Sequence, residues 1–381
     1  MKLGLITTLD TNIGDDFIRE GLCNVLRGEF GEKSLQFLPV NKHKPLSLYS
    51  PSHPLVRIRR LPINGYRKRN LLRQFSRLFH RVGSTHFDSC DAILQCGAPV
   101  YWKGCGTQTD WSEDLWQDVV ARLHRRIPVL NLAAGSCFAV RNLPETFEDP
   151  ADATFVRWLY GLCRTTTVRD PLAKKLLESV GCPTEVIRCS AFLFTNPSQS
   201  EPTADGPVLI NYMEGGGHYD WDQKIDRGRW EQTTRQVIAE LRRKHRVVML
   251  CHNAKEKQLA EKLAPDLEHV LPGSYRDFPR VVRQAKAALC NRMHASVALA
   301  GMGIPSVTVG SDTRLLMVEQ LGLPCHFVED VDAATIVREL EHQMTQRYAI
   351  AAELAQKQEE TRRAYARVFR AHLPLAALRA A

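Results

Sequence analysis

Two basic side chains, Arg292 and His294, stand two residues apart just after the apolar run Ala287–Cys290. A short apolar run of this kind forms a buried parallel strand. Asn291 is a good helix N-cap. Residues 292–300 have helical composition until Gly301 and Gly303 stop it, and Pro305 opens the next strand. The pattern puts an arginine and a histidine in the first turn of a helix, at the carboxyl end of a strand. Unpaired N–H groups and the helix dipole favour an anion there, and open α/β sheets bind ligands at that end. Cations so placed oppose the dipole, and a bound phosphate or carboxylate would compensate them. The alternative is a solvated Arg292 and a His294 that only packs.

Other candidates sit at similar junctions. Asn12, Gly14 and Asp15 form a turn after the expected strand Lys2–Thr7, with Asp15 placed to cap a helix to about Arg27. Gly97 ends the apolar strand that starts at Asp91, Arg169-Asp170 precede a helix over 172–180, and His252 ends a strand over 247–251. Gly215 and Gly216 follow a strand over 208–212, where backbone amides can cradle an anion or simply form a loop. His294 titrates in the range of a general acid. Asp15 is the first candidate base, with Glu214 and Asp170 behind it, and capping is the competing role for both aspartates. No metal-ligand spacing is present.

Placing these residues requires repeated strand–helix units. The chain alternates them throughout, which argues for parallel, doubly wound sheets. Residues 1–195 form one expected Rossmann-like domain and 208–345 a second. The proline-rich stretch 196–207 links them, and 346–381 forms a long C-terminal helix. At 381 residues, two cores are expected.

The net charge of +9 is local: between Lys33 and Phe87 lie twelve bases and no acid. Leu71, Leu72, Phe75, Leu78 and Phe79 recur there at helical spacing among Arg69, Arg73 and Arg77, predicting a basic amphipathic helix near 66–82. Its charged side is either a solvated face or, over 57–81, a peripheral contact with an anionic membrane or acceptor. Nucleic acid is not expected, because no binding motif accompanies the charge. Eleven scattered cysteines, no signal-peptide core and no membrane-length apolar run lead to an expected cytoplasmic protein with free thiols.

The ordered set Asn12-x-Gly14-Asp15, Gly97 at a strand end, Arg169-Asp170, His252, and Arg292-x-His294-Ala295 with Gly303-x-Pro305 resembles the polysaccharide pyruvyl transferase family over residues 2–324. The resemblance implies two Rossmann-like domains facing across a cleft, the GT-B arrangement. It implies transfer of the enolpyruvyl unit of phosphoenolpyruvate onto two hydroxyls of a glycan or lipid-linked glycan precursor, forming a cyclic ketal and releasing phosphate, with no cofactor. Arg292 and His294 match donor-contacting positions, and Arg169 a second basic position facing the cleft, expected to bind the donor as well. His252, Gly215 and Gly216 are expected on the donor side, and Asn12, Gly14 and Gly97 on the acceptor side. The chain departs from the family pattern at Gly97-Ala98, Ala134-Gly135-Ser136 and Cys189-Ser190-Ala191, all in the first half, so the departures bear on acceptor identity. A GT-B glycosyltransferase using a nucleotide sugar, or a non-catalytic ligand-binding member of a glycan assembly system, fits the same fold.

Overall fold

The structure, a computed structural model, describes residues 1–9, 13–54, 56–57, 85–107, 113–195 and 206–374. Asn12, the expected basic helix near 66–82 and most of the expected linker lie outside these residues.

The first sheet comprises β1 (Lys2–Thr7), β2 (Gln36–Asn41), β3 (Ala92–Tyr101), β4 (Val129–Ser136), β5 (Thr165–Val168) and β6 (Glu185–Val186), in the order β2-β1-β3-β4-β5-β6. The second comprises β7 (Val208–Asn211), β8 (Val247–Leu250), β9 (Glu268–Val270), β10 (Ala287–Cys290), β11 (Ser306–Gly310) and β12 (Cys325–Phe327), in the order β12-β11-β10-β7-β8-β9. All pairings are parallel. Chain direction across the sheet reverses between β1 and β3 in the first sheet and between β7 and β10 in the second. Such switch points open the crevices where doubly wound sheets bind ligands.

The helices are α1 (Ile13–Phe30), α2 (Glu113–Val120, π-wound), α3 (Pro150–Leu162), α4 (Pro171–Ser179), α5 (Arg227–Leu241), α6 (Ala254–Leu263), α7 (Phe278–Val282), α8 (Met293–Gly301), α9 (Leu316–Glu319), α10 (Ala333–Thr345) and α11 (Arg347–His372). Most begin as their sequence dictates. Asp149, Asp170, Asp226, Asn253 and Asp332 each accept a backbone N–H of the helix they cap.

Two local expectations need correction. Helix α1 starts at Ile13, so Asp15 is an acid of its first turn and not its cap. Asn291 does not cap α8; its side chain bridges Met213 after β7, Trp230 of α5 and Val309 of β11, and Arg292 occupies the cap position. Helix α7 is short and is entered through Pro279 in its first turn.

The two halves meet in a shared apolar cluster. Phe17 and Ile18 of α1, with Phe192 and Phe194, pack among Leu209, Phe278, Val297 and Leu299 of the second half. Helix α11 returns to the first half: Tyr365, Val368 and Phe369 bury against Leu3, Leu5 and Leu22. On the way, Gln358 donates to the carbonyls of Phe192, Thr195 and Gly301. Gly301 is required there, since a Cβ would sit 2.5 Å from the Phe192 carbonyl oxygen. All eleven cysteines are free thiols. Among the described residues, no helix is long and apolar enough to cross a membrane.

Candidate functional site

The β10–α8 turn is held by an interlocked set of polar side chains. Asn211, the β7 residue in register with Cys290, accepts the Arg292 backbone N–H at 2.9 Å and so caps α8 from the neighbouring strand. Its amide donates to the Leu250 carbonyl and to Glu256. Asn291 accepts from the Met213 backbone and the Trp230 indole and donates to the Val309 carbonyl. Glu256, in the first turn of α6, is 3 % exposed. It accepts from Asn211, Asn253, the His252 backbone and the Arg292 guanidinium, the last with Nε–Oε1 at 2.7 Å. Burial alone would raise its pKa; Arg292 first among its partners reverses this and holds it below the ordinary carboxylate value. Arg292 is thus aimed by a buried carboxylate and is not a solvated charge.

His294 follows within the first turn of α8, 7 % exposed. Its Nε2 lies 3.1 Å from Nη1 of Arg169, which reaches it from the end of β5 in the first half. Burial, then Arg169, Arg314, Arg292 and His252, hold its pKa well below the ordinary histidine value, so the unliganded imidazole is neutral. Arg169 is completely buried and its Nε and Nη2 have no hydrogen-bond partner. Gly135 makes room for it, because a Cβ there would lie 2.3 Å from Nε.

A hollow of about 330 Å³, counting its open mouth, lies over this turn. Arg292, His294, His252, His218 and Arg314 line it from the second half and Gly14 from the first. The N-termini of α1 and α8 therefore meet at one hollow, each with N–H groups outside the helical ladder. Arg314 is gripped through Nε and Nη2 by Asp312, which is fully buried. His252 is buried with both ring nitrogens unpartnered, edge-on to Phe17 and Phe278, and burial lowers its pKa to about 4.

The remaining candidates fall elsewhere. Asp15 lies one residue beyond the cavity-lining Gly14, in the electrostatic field of Lys42, His43 and Tyr219. Asp170 spends both oxygens on Ser136 and on Ala173 at the start of α4. Ser136 in turn bonds Thr313 across the two halves. Glu214 is exposed. Gly215 and Gly216, at φ 62° and 72°, form a turn packed on Ile225 and Val328 and are not among the lining residues. Gly97, at φ 55°, lies beneath α1, where a Cβ would meet Ile18 at 2.4 Å. It lets the helix close on the sheet and does not line the cavity.

Arg314, Glu256 and Lys42 were not singled out as site residues from sequence. A signal existed for two of them: Lys42 directly follows β2, and Arg314 comes four residues after the end of β11. Lys42 stands in the field of Asp15 and Arg169, and burial lowers its pKa.

Known proteins resemble this molecule at two levels. In fold, it is similar to the S. aureus MnaA–UDP co-structure (TM-score 0.54, 13 % identity, 93 % of this chain and 92 % of that one). It is also similar to UDP-GlcNAc 2-epimerase from Neisseria meningitidis bound to UDP-GlcNAc (0.53, 12 %, 93 % and 94 %). Both support a GT-B arrangement of two Rossmann-like domains. A comparison with curated proteins gives no match. In sequence, residues 12–313 match the description "Polysaccharide pyruvyl transferase", a span that includes Gly14, Arg169, His252, Arg292 and His294. This chain belongs to the polysaccharide pyruvyl transferase family.

Proposed function

We propose that the protein transfers the enolpyruvyl unit of phosphoenolpyruvate onto two hydroxyls of a glycan or lipid-linked glycan precursor. The observation that carries this reading is the meeting of two helix N-termini over one cavity that also holds Arg292, Arg314 and His294. A small donor carrying a carboxylate and a phosphate requires convergent cations and amides at this scale. Arg292 and Arg314 bind the donor's anionic groups, each already oriented by a buried carboxylate.

In the reaction, one acceptor hydroxyl oxygen bonds to C2 of the donor while the methylene carbon takes a proton and becomes a methyl. The C–O bond to phosphate then breaks, inorganic phosphate leaves, and the second hydroxyl closes the ketal at C2. One hydroxyl proton is balanced by the methyl, the other by the phosphate or a base. His294 supplies the methyl proton. It is neutral in the empty site, and the donor's negative charge offsets the arginines around it and raises its proton affinity. Asp15, on the first-half wall beside the cavity, is the base for the attacking hydroxyl. The basic segment 57–81 supplies charge for peripheral contact with an anionic membrane that carries a lipid-linked acceptor.

Phosphate release from phosphoenolpyruvate with a glycan acceptor tests the reaction. Arg292→Ala should weaken donor binding by about 10²-fold, or roughly 3 kcal/mol, and turnover should fall with it. Unchanged binding and turnover would reject the assignment. In a thermal-shift panel, stronger stabilisation by UDP-, GDP- or CMP-sugars than by phosphoenolpyruvate would replace it with a glycosyltransferase.

A further inference from the structure

The Arg169–His294 contact joins residues 125 apart, from opposite halves of the molecule, in a fully buried pair. An arginine N–H can only donate, so the partner nitrogen must be an acceptor. Nε2 of His294 therefore carries its lone pair toward Arg169, and the ring's proton is on Nδ1.

We propose that Arg169 is a positioning residue that fixes His294 from across the domain interface as the Nδ1–H tautomer, so that the histidine's state depends on the two halves being packed together. The surroundings favour this arrangement. Gly135 leaves space for the guanidinium, and Gln320 ties the Arg169 carbonyl to the second half at 2.6 Å. Ser136 and Thr313 bond across the same seam, and Ala139 forms an antiparallel bridge with Asp312. The other charged or titratable groups acting on His294 are Arg292, Arg314 and His252. Glu256 holds Arg292 and Asp312 holds Arg314, so those two cations are each compensated by a carboxylate. Arg169 makes no ion pair among the described residues; its charge is felt by the neighbouring Asp170 and acts directly on the imidazole. With Nε2 held, the ring offers a ligand only its Nδ1–H.

The test is nitrogen NMR of the full-length protein labelled at histidine, with the His294 signals assigned from a His294→Asn variant. Wild type at neutral pH should show one protonated Nδ1 and one bare Nε2. Arg169→Gln, whose amide can still donate, should keep that tautomer. Arg169→Met, which cannot donate, should lose it, and its imidazole should titrate at higher pH than in wild type. Unchanged thermal melting of Arg169→Met separates this from unfolding. The opposite tautomer in wild type, or an unchanged spectrum and titration in a folded Arg169→Met, would overturn the proposal.

Only the kinetic arm rests on the proposed reaction. There, Arg169→Met should lower kcat by about 10²-fold, with Arg169→Gln retaining more activity. Loss of phosphoenolpyruvate affinity in Arg169→Met with the His294 tautomer intact would make Arg169 a ligand contact and would also overturn the proposal. The NMR result stands whether or not phosphoenolpyruvate is the donor.

Discussion

The two walls of the cleft are built in different ways. On the second-half wall, β7 and β10 run in unbroken register, and the side chains at their ends interlock through Asn211, Asn291, Glu256 and Arg292. On the first-half wall, the register of β3 and β4 shifts, and Gly97, Ala98 and Ala133 take φ of 55°, 104° and 54°. Buried Gln95 Oε1, Asn131 Oδ1 and Thr166 Oγ1 lack partners there. One wall fixes a few charged groups through a satisfied polar network. The other carries backbone strain and bulges, devices that re-aim strands next to sites. The strained wall also contains the departures from the family pattern at Gly97-Ala98 and Ala134-Gly135-Ser136.

If the network holds the second-half wall, Glu256→Ala should be the most damaging single change. It strands Arg292 and unpairs Asn211, and should cost about 3–5 kcal/mol in denaturant unfolding. A loss below about 1 kcal/mol would mean the wall stands without its network. Because Glu256 has a lowered folded-state pKa, its contribution is present above its ordinary value of 4.5 and fades as pH falls further.

His252 is that wall's weak point under acid. Its folded pKa of about 4 lies below the ordinary 6.5, so the unfolded chain binds the proton more readily. Stability should therefore drop as pH falls from 6.5 toward 4, by about 3 kcal/mol in total. His252→Phe, which keeps the aromatic contacts with Phe17 and Phe278, should flatten unfolding free energy across that window. An equally steep variant would shift the acid sensitivity to another group.

The first-half wall should respond to smaller changes of backbone freedom. Gly97→Ala adds a Cβ that presses on Ile18 in a left-handed conformation, at a cost of about 2 kcal/mol by thermal unfolding. The smallest effect should be a gain: Ala98→Gly removes strain at φ 104° and should stabilise the protein by about 1 kcal/mol or less. Destabilisation by that variant would show that Ala98 packing outweighs its strain.

The same contrast explains what could be read in advance. Strands such as Lys2–Thr7 and Ala287–Cys290 and the helix after Arg169-Asp170 are legible because apolar runs, helical spacing and stop residues are local. Extension of β3 past Gly97 to Tyr101 was not, since a bulged strand breaks the alternation that marks it. Asn291 was misassigned as a cap because the groups that recruit its side chain, Met213, Trp230 and Val309, come from other segments.

By itself the sequence determined the alternating strand–helix order and the place of Arg292 and His294 at a strand-to-helix turn, because dipole, capping and strand direction all follow from neighbouring residues. Only the tertiary structure decided which carboxylate aims Arg292, 36 residues away, and which arginine meets His294, 125 residues away. It also decided that Gly14, in α1 of the other half, would line the same hollow. Those contacts are set by two halves meeting in a shared apolar cluster, and no short stretch of sequence encodes that docking.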